Sequence, residues 1–146
     1  MPDGNALSGI AHAIQLAIAP VFLLTGIASL LGVIANRLAR VIDRGRALQQ
    51  SWNGFDDKMR SAARRELGVL EHRRQLTSSS ISFCTAAALL VCLVIVLLFV
   101  EAMVAINLRW LAGSLFIFAM LAVIGGLSSF LREVYLATHS ISFDLD

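Results

Sequence analysis

The chain is poor in the residues that most soluble chemistry needs. It has two cysteines and three histidines, and of its twelve basic residues only Lys58 is lysine. Cys84 and Cys92 lie eight residues apart in one apolar segment. At the helical rise that separates them by about 12 Å, too far for a disulfide. They read as small apolar packing residues. No phosphate-cradling glycine loop, no Gly-x-Ser-x-Gly elbow and no His-Glu-x-x-His pair occurs in the sequence. His12, His72 and His139 lie far apart in sequence, and no set of soft ligands surrounds any of them. These absences predict no enzyme, no metal and no cofactor. Internal repeats and low-complexity tracts are also missing.

Charge is confined. Ala13 to Ile34, Ile81 to Val100 and Leu111 to Leu131 contain no charged residue. Each run matches the ~20 residues that a helix needs to cross a bilayer core. Between the first two runs sits a basic block, 36–76. It holds ten basic against five acidic residues, a formal +5, while the rest of the chain has two against five, or −3. That asymmetry predicts a multi-pass membrane protein with the block on the cytoplasmic side. The pI near 8.9 then calls for anionic lipid rather than nucleic acid as the counter-charge. No lysine or arginine precedes the first run, so a cleavable leader is not expected. The N-terminus is placed outside and the C-terminus in the cytoplasm.

The predicted fold is all-α. A short external N-terminus (1–8) leads to transmembrane helix 1 (9–35). Helix 1 continues into a basic cytoplasmic helical hairpin (36–76, turn at 51–55), formed by extensions of helices one and two. Transmembrane helix 2 (77–100), a short external loop (101–109), transmembrane helix 3 (110–131) and a cytoplasmic tail (132–146) follow. Leu38, Val41, Ile42 and Leu48 make one apolar face of the hairpin, and Met59, Ala63, Leu67 and Leu70 the other. Asn53-Gly54 predicts left-handed backbone in the turn. Asp56 and Asp57 then suit a helix start.

Several polar or unusual residues interrupt the apolar runs. Pro20 removes one helical hydrogen bond, which is tolerated where protein or water restores it. The break reads either as a packing kink or, with Gln15 and Thr25, as part of a candidate pore lining. His12, Glu101, Asn107 and Arg109 form a candidate outer polar cluster, at similar depth near the outer ends of the spans. Arg37, Arg40, Arg44, Arg73 and Arg74 are candidates for an inner basic mouth or for lipid contact. The preference for arginine points to bidentate or buried ion pairs. Ala122, Gly125, Gly126 and Ser129 give small-xxx-small spacing for close helix packing.

The string from Ile14 to Gly26, with Ala-Pro-Val-Phe-Leu-Leu-Thr-Gly at its end, resembles a family of small bacterial membrane proteins known only as a domain of unknown function. Asn36 to Arg44 and Glu71-His72-Arg73-Arg74 fit the same family. The resemblance implies a bacterial inner-membrane protein with three spans, and it implies no activity.

Three helices leave little room for an internal site, so polar residues on them predict partners. The first reading is a homo-oligomeric channel-like protein with an anion preference. The alternative is a membrane-anchored scaffold or accessory subunit, its arginine-rich hairpin binding a cytoplasmic protein partner or anionic lipid. Trp52 and Phe55 would be its anchors.

Overall fold

The computed structural model describes residues 3–104 and 106–139, with side chains over 9–52, 54–104 and 106–135. The described chain is helical: α1 (Asp3–Gln50), a 3-10 turn (Trp52–Gly54), α2 (Asp57–Val104) and α3 (Arg109–His139). All three helices are long and apolar enough to cross a membrane, so this is a multi-pass membrane protein. Helix α1 starts at Asp3 rather than near residue 9, and α3 runs to His139, beyond the expected end of the span.

Burial in α1 recurs every seven residues at Ala13, Pro20, Ile27, Ile34, Val41 and Leu48, with Ala17 buried between the first two. The same period holds in α2 at Ala63, Leu70, Thr77, Cys84 and Val91, with Ser80, Ala87 and Val94 three residues further on. In α3 it holds at Ala112, Ala119, Gly126 and Glu133. A seven-residue repeat is the period of helices packed knobs into holes. Many of these residues are small, which lets helix backbones approach without a hydrophobic driving force. Large apolar side chains such as Phe22, Leu89, Trp110 and Phe118 point outward instead, as lipid-facing residues do.

The chain divides into two compact units. One gathers the chain up to Leu31 with Phe83–Ile124, and the other Gly32–Ser82 with the chain from Gly125 onward. In the second unit the end of α1 pairs with the start of α2 around Val41, Leu48, Ala63 and Leu70. Leu67, Trp52 and Phe55 pack against that core, and Arg64 lies 5.7 Å over the Trp52 ring. Trp52 and Phe55 thus close the pair from within, where the sequence suggested anchors for a partner. Met59 is exposed and does not join the predicted face.

The turn also differs from expectation. Gly54 does not take a left-handed conformation. Ser51 keeps right-handed backbone angles, φ −82° and ψ −4°. The Gly54 amide donates to the Ser51 carbonyl at 3.0 Å and the Phe55 amide to Trp52 at 3.4 Å. One tight right-handed turn therefore continues the winding of α1, with half-buried Trp52 and Phe55 packed against the core below it. Helix α2 then begins with the Arg60 amide donating to the Asp56 carbonyl at 2.8 Å.

Candidate functional site: an arginine cleft over a buried glutamate

Glu133 is the last buried residue among the described side chains of α3 and is completely buried, at 0% exposure. Its carboxylate is held by two arginines from the other helices. Arg37 of α1 donates from Nη1 to Oε2 at 2.9 Å. Arg73 of α2 donates to Oε1 from Nη2 at 2.8 Å and from Nε at 3.2 Å. Arg37 also lies 5.4 Å over the Phe130 ring. An isolated buried carboxylate is costly, and two charged donors offset much of that cost. Behind this triad the Thr77 hydroxyl donates to the Arg73 carbonyl at 2.8 Å, and the Ser80 hydroxyl donates to the Gly126 carbonyl at 2.6 Å. Both hydroxyls are thereby satisfied in a buried position.

A cleft of about 380 Å³ opens on the two arginines of this triad, lined by Arg37, Arg40, Arg44, Glu66, Leu70 and Arg73, with Val41 in its wall. Arg44 is paired with Glu66 through Nε at 2.7 Å and Nη2 at 3.3 Å. That hydrogen bond, then the attraction to Glu66, pushes the Arg44 pKa further up. Arg40 makes no ion pair among the described residues. Four arginines thus face two carboxylates, Glu66 and Glu133, and the cleft keeps a formal charge of +2. Arg74 is turned elsewhere. It pairs with Glu71 at 2.9 Å in a second cleft that also contains Arg46 and Gln49. The Arg74 hydrogen bond holds the Glu71 carboxyl below the usual range, and Glu71 raises Arg74 in return.

The first unit brings together three members of the polar cluster read from sequence. His12, Glu101 and Arg109 line one cavity of about 490 Å³. Arg109 Nε donates to Glu101 Oε1 at 3.2 Å. Asn107 does not line that cavity; its side-chain oxygen accepts the Arg109 backbone amide at 3.4 Å, at the start of α3.

The pore candidates are not brought to one face. Gln15 and Thr25 are exposed, whereas Pro20 is buried in the α1 seam. The Thr25 hydroxyl donates to the Val21 carbonyl at 3.2 Å. Of the packing candidates Gly126 is buried, and Ala122, Gly125 and Ser129 are half-buried. The Ser80–Gly126 bond shows that Gly126 packs within the chain. No group of three metal-ligating side chains occurs among the described residues. The His139 side chain, and with it any meeting of His72 and His139, lies outside the described residues.

Reading the sequence did not find Glu133. The signal was present: Ala112, Ala119 and Gly126 are spaced by seven, and the next position is Glu133. An acid on that seam, level with arginines that leave the basic block, marks a buried pair.

No curated protein and no solved structure matches the chain. The family described as "Protein of unknown function (DUF2721)" matches residues 17–143. A multi-pass helical protein matched over nearly its whole length in this way belongs to that family.

Proposed function

We propose that this protein is a membrane-anchored accessory or scaffold protein whose arginine cleft binds the phosphate of an anionic phospholipid. The observation that carries this reading is the surplus charge of the cleft. Glu133 uses one side of Arg37 and Arg73, and Arg40 and the remaining donors face the opening. Arginine presents several donors in a planar fork suited to phosphate. A positive cleft on a membrane protein meets anionic headgroups first. The charge asymmetry supports a bacterial inner-membrane orientation with the paired ends of α1 and α2 in the cytoplasm.

The test is lipid retention by the purified protein. With phosphatidylglycerol and phosphatidylcholine of matched chains offered together, the wild type should keep the anionic lipid in native mass spectra. Arg40→Gln should lower that retention roughly fivefold, the factor expected for one arginine near an anionic surface. Equal retention of the two lipids by the wild type overturns the reading.

A homo-oligomeric channel with an anion preference is the second reading. Its support is that Gln15 and Thr25 are exposed within the uncharged stretch 13–34 of α1, where a second copy or water would solvate the Gln15 amide. Cysteines at these positions should then react with small charged thiol reagents, and reconstituted protein should conduct. A monomeric mass with silent bilayers removes this reading and leaves the first untouched.

A further inference from the structure

We infer that the cavity beside Glu101 and Arg109 binds a zwitterionic phospholipid headgroup, one that carries both a primary ammonium and a phosphate. The cavity, about 490 Å³, is lined by Gly9, His12 and Leu16 of α1, by Leu98 and Glu101 of α2, and by Arg109. It lies wholly within the first unit and does not depend on the arginine cleft.

Glu101 is the centre of the argument. Its Oε1 is met by Arg109 at 3.2 Å. Its Oε2 is buried and has no protein donor. A carboxylate oxygen withdrawn from solvent strongly favours a donor, and one that brings positive charge most of all. Arg109 engages Glu101 through Nε alone, and its side chain is 76% exposed. Its terminal nitrogens therefore face outward, ready for an anion. A lone cation in the cavity would sit beside the arginine, and a lone anion beside the carboxylate. A molecule with both charges answers both residues at once.

The rest of the lining fixes the chemical class. Leu16 and Leu98 are apolar walls. A Cβ added at Gly9 would stand 3.6 Å from the Ala102 carbonyl, so α1 and α2 approach closely there. All three helices are of membrane-spanning length and composition. A headgroup with its acyl chain along the leucines therefore fits better than a free soluble zwitterion. The ammonium must be primary, because a trimethylammonium has no N–H to give the buried oxygen.

The experiment uses the full-length protein in mild detergent. Phosphatidylethanolamine and phosphatidylcholine with identical acyl chains are offered in equal amounts, and bound lipid is read by native mass spectrometry. The wild type should retain phosphatidylethanolamine in about tenfold excess, the factor one charge-assisted hydrogen bond supplies. Glu101→Gln should erase the excess. Arg109→Gln should lower retention of both lipids and leave their ratio unchanged. Leu16→Trp alters an exposed side chain and spares the carboxylate; by filling the cavity it should lower phosphatidylethanolamine retention with helicity intact. Equal retention of the two lipids by the wild type overturns the inference, as does an excess that survives in Glu101→Gln.

Discussion

All four glutamates of the chain meet arginine, and two of them, Glu133 and Glu101, differ in almost every other respect. Glu133 is fully buried, and both of its oxygens accept from arginines on two other helices. Glu101 is 20% exposed, has one arginine on one oxygen and leaves the other oxygen without a protein donor. Both sit on a helix face that packs against neighbours at heptad spacing. The comparison separates two uses of the same pair. A carboxylate with every acceptor satisfied joins helices and fixes their register. A carboxylate with one acceptor left over is a place for something else to bind. Burial alone does not distinguish a structural ion pair from a site; the donor inventory does.

The largest expected effect follows at Glu133. Removing one member of a buried ion pair strands the others, at roughly 3–5 kcal/mol. Glu133→Ala should therefore lower the unfolding midpoint in detergent sharply. Arg37 and Arg73 would then repel each other across the space the carboxylate had bridged. The triple change Arg37→Met, Arg73→Met, Glu133→Leu should recover most of the loss, since a well-packed apolar set often equals or exceeds a buried ionic one. If Glu133→Ala unfolds like the wild type, the triad does not join the helices. At Glu101 the same measurement should show a change within about 1 kcal/mol for Glu101→Gln, because its partner is largely exposed. A large loss there would make Glu101 another structural pair and remove the basis of the contrast.

The next effect in size lies at Leu70, buried with Val41, Leu48 and Ala63. Truncation of a buried leucine costs roughly 2–5 kcal/mol, by loss of contacts and by the cavity left behind. Leu70→Ala should make the 51–56 connection open to protease at lower temperature. Val69→Ala, one residue away and exposed, should leave cleavage unchanged. Equal cleavage of the two variants would mean that the paired ends of α1 and α2 are not held by this core.

Length and hydropathy sufficed to read the three helices from sequence, because an apolar run of span length has few other uses. The paired ends were readable because Val41, Leu48, Ala63 and Leu70 repeat as a helix face should. What escaped was which side of each span faces its neighbours. In a bilayer the outward residues are as apolar as the inward ones, so hydrophobic contrast is lost and only size remains. Ala13, Ala112, Ala119 and Gly126 carry that information at seven-residue spacing. Small-xxx-small pairs sample it at four-residue spacing and so placed Gly126 among candidates for helix contact without finding Ser80 as its partner. Pro20 reads from sequence as either a packing kink or a pore-facing one, and its burial in the seam of α1 fits the packing kink. Glu133 was hidden for a similar reason. Beside Arg132 it resembles an ordinary interfacial charge, and only the period shows that it points inward.

The smallest expected effect is a pH dependence at Glu71, and it tests whether an exposed pair behaves like either of the two glutamates. The Arg74 hydrogen bond lowers the Glu71 pKa in the folded protein from its ordinary value of 4.5. A lowered folded pKa means that the unfolded chain binds the proton more readily. The stabilisation is therefore fully present above the ordinary carboxylate pKa and is lost as pH falls through the lowered one. Both side chains are about half exposed, so solvent and salt screen the pair. Glu71→Gln should abolish a small acid-limb slope in the unfolding midpoint below about pH 4.5 and change nothing at neutral pH. Added salt should flatten the same slope in the wild type. A Glu71→Gln variant that is strongly destabilised at pH 7 would show that this surface pair, like the triad at Glu133, joins helices, and that exposure is a poor guide to which of the chain's arginines hold the fold.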